Sequence, residues 1–296
     1  MSQPSQPTAE EEFLRWVVDI GALGLHQVSI TYLEKNGVLV RSLVAAKEVT
    51  EPILLPRSLL LMAENDMDLA WRLARERFRM DDGQASSLAP WIRILPSEEM
   101  LKEYHVAYAS DNVLETFAAL PLTSRVQHWK QSVCDVWQDR KSEFMDVSFD
   151  AFKWAATILQ TRVFRPPPSF SFMPVADMMN TSLMPNMEVY DSLELEEAPE
   201  DITNSPASAS SNMGYYGLLP LREIMPGEEL TQAYCAVDNS ERLFRCGFLL
   251  PGNPTAVEPL SRTSVEAMCR QAESLEGPRD LLESLRALAL EHAEAA

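Results

Sequence analysis

The side chains able to do chemistry concentrate in two stretches of this 296-residue sequence. The first, Phe172-Met-Pro-Val-Ala-Asp-Met-Met-Asn-Thr-Ser-Leu-Met-Pro-Asn186, holds Asp177, Asn180 and Thr181. The second, Met225-Pro-Gly-Glu-Glu-Leu-Thr-Gln-Ala-Tyr234, is followed by Asn239 and by Arg245-Cys-Gly-Phe248. Taken as residues alone, Asn180-Thr-Ser is an Asx-turn, Asp177 opens a turn, and Tyr234 is a strand tyrosine burying its ring. Arg162 stands at a helix end, where a cation suits the dipole, and Phe248 is a core phenylalanine. Met173, Met178, Met179 and Met184 read as adaptable packing rather than thioether chemistry. The four cysteines (Cys134, Cys235, Cys246, Cys269) lack CxxC spacing and the four histidines (His26, His105, His128, His292) are scattered. That pattern argues against a metal cluster or a disulfide framework.

The elements that must position these stretches follow from periodicity. Phe13 to Val18 reads as a short helix ending before Gly21, and Val28–Tyr32, Val38–Ala45 and Ile53–Leu55 as strands. Met67, Ala70, Trp71, Ala74 and Phe78 recur at three- and four-residue steps behind an Asn65/Asp66 cap. Helical stripes continue through Asp111–Leu120, Val126–Trp137 and Phe149–Leu159, so a helical block follows the β-rich start. Arg165-Pro-Pro-Pro-Ser169 ends it, because proline has no amide to donate and restricts its predecessor. Strands are expected at Phe170–Ala176, Met187–Tyr190, Tyr215–Pro220 and Leu230–Tyr234. Between the middle two, Asp191 to Gly214 opens with six acids and no base and reads as a disordered excursion. From Val265 the chain is helical again, with Leu281, Leu282, Leu285 and Leu288 on one side. The reading is α+β, with β-rich residues 1–64 and 161–252 flanking a helical block at 65–160, and 253–296 a partial C-terminal helical lobe.

Composition narrows the partners. The net charge is −19, from 44 acidic and 25 basic side chains, which argues against counterion displacement from bare nucleic acid and leaves a basic protein partner open. Met1 to Glu12 carry neither a basic nor an apolar signal region, and the apolar runs fall short of the roughly 20 residues of a membrane helix. An intracellular, soluble protein is expected, with cytoplasm, nucleus and plastid undistinguished.

In order and spacing the two stretches resemble the SET-domain methyltransferases, whose late motifs read N-H-S-x-x-P-N and G-E-E-x-x-x-x-Y. Further pieces sharpen the resemblance: Phe13-Leu-Arg-Trp16 with Gly21-Ala22, Pro90-Trp-Ile-Arg-Ile-Leu-Pro96, Trp154-Ala with Thr161-Arg-Val-Phe164, and Gly247-Phe248 with Asn253-Pro254. These look like the branch of the Rubisco large-subunit lysine methyltransferase and the actin-histidine methyltransferase, whose SET domain is split by a helical insert.

The resemblance implies methyl transfer from S-adenosyl-L-methionine to a side-chain nitrogen of a protein substrate, lysine in preference to histidine. It implies that Tyr234 lies beside the reacting centre as the catalytic tyrosine. Cofactor contacts would come from the Asn180 side-chain amide, the Thr181 backbone, Asp177, Arg162 and Phe248, with Phe164 on the substrate side. No metal is implied. Three departures bear on this. Val40-Arg41-Ser42 stands where the family has a G-x-G loop, Thr181 replaces the motif histidine, and Ser87-Leu88 replaces an aromatic pair. Backbone contacts survive the histidine change. A Cβ at a left-handed backbone position costs on the order of 1 kcal/mol, so the loop is expected to crowd the cofactor unless Gly37 serves in a shifted loop. A non-catalytic SET scaffold that binds a protein is the alternative function. Leu281, Leu285 and Leu288 are expected to be exposed and to invite a partner.

Overall fold

Thr8 and Glu11 open the structure by satisfying each other's backbone. The Thr8 hydroxyl accepts the Glu11 amide at 3.2 Å and the Glu11 carboxylate accepts the Thr8 amide at 3.0 Å, a reciprocal cap. The helix they start, α1 (Ala9–Asp19), therefore begins a turn before the expected Phe13 and buries Phe13 and Val17. The computed structural model describes residues 7–35, 38–143, 147–165, 170–193, 214–234 and 237–295. The chain divides into two compact units: Met1–Leu95 with Arg162–Tyr234, and Pro96–Thr161 with Cys235–Ala296.

In the first unit, β1 (Val28–Lys35) and β2 (Val38–Ala45) form an antiparallel hairpin from Val28↔Ala45 to Lys35↔Val38. β3 (Ile53–Pro56) and β4 (Leu61–Ala63) follow. The Asn65 side chain then accepts the Asp68 amide at 2.8 Å, capping α2 (Asp66–Asp81) as its spacing predicts. α3 (Ala89–Ile94) is short, with proline in its first turn. After residue 162 come β5 (Val163–Phe164), β6 (Phe170–Phe172), β7 (Asn180–Thr181), β8 (Met187–Leu193), β9 (Tyr215–Pro220) and β10 (Thr231–Gln232). The sheets run β3-β9-β8, β4-β6-β5 and β10-β7; the last pairing is parallel, Thr231↔Asn180 and Gln232↔Thr181. The strand expected over Phe170–Ala176 stops at Phe172, because Pro174 offers no amide and Val175 turns the chain. Most of the acidic excursion, residues 194–213, lies outside the described residues, as do Gly37 and Cys235.

Among the described residues Val175 is the one non-glycine at positive φ, with φ 80° and ψ −55°. A β-branched residue there costs on the order of 1–3 kcal/mol and persists only where packing over-determines it. Val175 is fully buried, and its carbonyl accepts the Met178 amide at 3.0 Å in the 3-10 turn Ala176–Met178. The strain sits where the chain must turn to present Asp177 and Asn180. It is not at Val40–Ser42, which lie extended in β2, so the expected left-handed Cβ penalty is absent from that segment.

The second unit is helical: α4 (Glu98–Tyr104), α5 (Asp111–Thr116), α6 (Pro121–Arg140), α7 (Phe149–Arg162, its last residue counted with the first unit), α8 (Asn239–Cys246), α9 (Arg262–Ala272) and α10 (Arg279–Glu294). Leu281, Leu285 and Leu288 are at most 1% exposed, within a cluster that includes Val113, Phe117, Val126 and Val265. The expectation of an exposed leucine face is thus overturned: the stripe faces α5, α6 and α9 side chains and has its partner within the chain. Asn239, quoted above for the resemblance, ties a loop. Its amide donates to Leu250 O at 3.2 Å and Glu291 Oε2 at 2.8 Å, and its Oδ1 accepts the Leu250 amide at 3.0 Å.

His105 is fully buried; its Nδ1 accepts the Ala107 amide at 3.2 Å, so the proton sits on Nε2, which donates to Arg245 O at 3.3 Å. Burial holds its pKa down to about 4, against an ordinary 6.5. The unfolded chain therefore takes up the proton first. Stability is full above pH 6.5 and falls as pH drops from 6.5 toward 4. We expect a loss of about 3 kcal/mol from this group, read as a lower urea midpoint at about pH 4.5 than at about pH 7.

Candidate functional site

The parallel β7–β10 pairing brings the two chemistry-bearing stretches side by side. The Tyr234 amide donates to Thr181 Oγ1 at 3.2 Å and the Tyr234 hydroxyl to Met179 O at 3.0 Å. Asn186 pins the same crossing: its Oδ1 accepts the Thr231 amide at 2.8 Å and its Nδ2 donates to Glu229 O at 2.8 Å. Asn180, Thr181 and Tyr234 are all half-buried, so their polar atoms are placed but not sealed.

Asn180 Nδ2 donates to Glu229 Oε1 at 2.8 Å, Arg41 O at 3.0 Å and Ser42 Oγ at 3.2 Å. Two hydrogens serve three acceptors, so the donor end is spent within the chain and Oδ1 remains to accept. Glu229 is held in turn by Lys35, whose Nζ lies 2.6 Å from Oε2 and 2.8 Å from Oε1. Burial pushes the Glu229 carboxyl up, but hydrogen bonds from Lys35, Asn180 and Ser42 outweigh it and leave the pKa below its ordinary value. Lys35, Ser42 and Glu229 as side-chain partners, and the Arg41 carbonyl, were not foreseen. Glu229 stood in a recognised motif, whereas Lys35 lies 194 positions away from it and carried no local signal.

Asp177 is sealed. Its Oδ2 accepts the Trp91 indole N–H at 3.0 Å and lies 3.6 Å from Arg162 Nη1, which also donates to Asp177 O. Burial raises the Asp177 pKa, with Arg162, the indole and Arg41 opposing. Asp177 Oδ1 and Arg162 Nε are buried without a hydrogen-bond partner. Trp91, in the Pro90-to-Pro96 segment, therefore fixes Asp177 together with Arg162. Phe164 faces Ser171 in the β5–β6 register and is half-buried. Phe248 belongs to the second unit and is half-buried there. Met173, Met178 and Met179 are buried packing, as expected, whereas Met184 is 86% exposed. Among the described residues no group of three or more His, Cys, Asp or Glu side chains could hold a metal ion, and no helix is long and apolar enough to cross a membrane.

No family model matches the chain, and no curated protein matches it. Solved structures do. The SET domain of LSMT bound to lysine and AdoHcy superposes at TM-score 0.66 over 96% of this chain and 72% of that one, with 19% identity. The fold is that of a SET domain. Rubisco LSMT bound to AdoMet gives TM-score 0.62 and 19% identity over 83% of this chain and 57% of its own, so this SET fold spans just over half of that protein. The SET domain of LSMT bound to MeLysine and AdoHcy gives TM-score 0.63 at 21% identity over 84% of this chain and 58% of that one. The SET fold here is α+β, with short two- and three-stranded sheets and helical segments.

Proposed function

We propose that this chain is an S-adenosyl-L-methionine-dependent protein N-methyltransferase acting on lysine. The observation that carries this reading is the parallel β7–β10 crossing, which sets Asn180 and Thr181 beside Tyr234. In this reading residues 1–64 and 161–252 form the catalytic portion, 65–160 the helical insert, and 253–296 a helical lobe for a protein substrate. The residues present fit the cofactor. The segment Val40–Ser42 is extended, and Asp177 Oδ1, Arg162 Nε and Asn180 Oδ1 retain unused polar capacity. Asn180, the Thr181 backbone, Asp177 and Arg162 would hold it, with Phe164 toward the substrate.

S-adenosylmethionine, when bound, supplies an electrophilic methyl group. The chain's part is positioning and electrostatics. A lysine amine, with an ordinary pKa of about 10.4, must arrive neutral, which a desolvating channel favours. The Tyr234 hydroxyl donates a hydrogen bond to Met179 O, which orients the phenol at the crossing.

A non-catalytic SET scaffold that binds a protein is the second reading, favoured by the engagement of both Asn180 amide hydrogens inside the chain and by the burial of Ser42. Titration calorimetry and thermal melting with S-adenosylmethionine separate the two. The methyltransferase reading expects heat of binding and a melting temperature that climbs with cofactor concentration. Neither effect at millimolar cofactor, in a folded sample, removes that reading and leaves the second. Transfer to histidine instead of lysine would appear in the mass spectrum of the methylated product.

A further inference from the structure

Arg41 is the one charged residue of β2, in the middle of the segment that departs from the family's loop. Its backbone carbonyl is taken by Asn180 Nδ2 at 3.0 Å. Strand alternation sends the Ser42 side chain toward Asn180, so the Arg41 side chain leaves from the opposite face of β2. There its charge interacts with Arg162, Tyr32 and Asp177 and, more weakly, with Glu10, whose carboxylate accepts the Tyr32 hydroxyl at 3.1 Å. Among the described residues its guanidinium makes no hydrogen bond and no ion pair within 4.0 Å. Burial, and then the Arg162 charge, lower its pKa, so the nearby carboxylates do not compensate it. Asp177 Oδ2 is committed to Trp91 and Arg162.

We propose that Arg41 is the receptor for a ligand α-carboxylate, the one carried by the amino-acid end of S-adenosylmethionine. The inference rests on the methyltransferase reading and adds a residue to it. A planar guanidinium with its donors unused accepts a carboxylate on two parallel N–H bonds, a geometry lysine does not reproduce. The same chemistry on a free α-amino acid is a separate source, which the test resolves.

The test measures calorimetric affinity for S-adenosylhomocysteine, for 5′-methylthioadenosine, which lacks the amino-acid end, and for methionine alone. Wild type, Arg41→Met and Arg41→Lys are compared. Arg41→Met is expected to weaken S-adenosylhomocysteine about tenfold or more while changing methylthioadenosine by less than about twofold, with Arg41→Lys between. Unchanged methylthioadenosine binding also certifies that each variant is folded. Equal losses for both adenosyl ligands, or no loss for either, overturn the proposal while leaving the methyltransferase reading standing. Methionine binding that requires Arg41, without adenosyl binding, overturns it in favour of a free amino-acid site. If neither adenosyl ligand binds wild type, the methyltransferase reading falls and takes the proposal with it.

Discussion

Tyr234→Phe is expected to cut methyl transfer by about a hundredfold to a thousandfold, the scale of losing one pre-oriented polar group at a reacting centre. The change deletes only the oxygen. The ring stays, and so does the backbone bond from Tyr234 N to Thr181 Oγ1 at 3.2 Å. The lost hydrogen bond to Met179 O should cost about 1 kcal/mol of stability, too little to unfold the crossing. Single-turnover transfer measured beside calorimetric cofactor affinity separates the roles: transfer should collapse while affinity holds. A variant that methylates at the wild-type rate removes Tyr234 from the chemistry.

Trp91→Ala should destabilise the first unit by about 4 kcal/mol or more, from two sources. The indole is fully buried and packs against Phe172 with ring centroids 5.3 Å apart, so truncation opens a cavity. Its N–H is also a donor to Asp177 Oδ2, and removing it strands a buried carboxylate. Trp91→Phe separates the two, keeping most of the ring and losing only the donor, for about 1–3 kcal/mol. The pH dependence carries a sign. The folded Asp177 pKa is already raised by burial, and the indole is one of the groups holding it down. In Trp91→Phe it rises further, so the deficit against wild type should shrink as pH falls toward the carboxylate range and grow as pH rises through the folded pKa. Urea unfolding of both proteins at several pH values checks this; a deficit independent of pH would mean that the carboxylate is not what the indole stabilises.

Features written in local periodicity were readable from the chain alone. The α2 cap at Asn65, the β2 span Val38–Ala45 and the β9 span Tyr215–Pro220 needed only neighbouring residues, and the structure places them at those residues. Short elements fared worse. α3 and α4 are six and seven residues long, too few turns for a stripe to repeat. α8 was hidden differently, because Asn239, Ser240, Glu241 and Arg242 are buried polar residues, the first three meeting Glu291, His292 and Arg245, instead of an apolar face. At the site, Asn180, Thr181 and Tyr234 were legible through motif order. Their support was not: Trp91 reaches Asp177 across 86 positions and Arg41 reaches Asn180 across 139, distances over which sequence carries no period. The loop-crowding expectation misjudged β2, since it assumed a left-handed backbone where the chain is extended.

The β7–β10 ladder has a consequence for how the protein is made. It consists of two residue pairs, and each strand is useless without the other. The Asn180 amide meets partners contributed 139 and 138 positions earlier and 49 later. Loops of that length close slowly and gain nothing until their far ends meet. During synthesis the β1–β2 hairpin and α2 can form as they emerge, whereas Asn180 must wait until Glu229 to Tyr234 have left the ribosome. Binding competence should therefore arrive last, and a chain stopped just before Glu229 would carry most of its secondary structure yet have no place for a ligand.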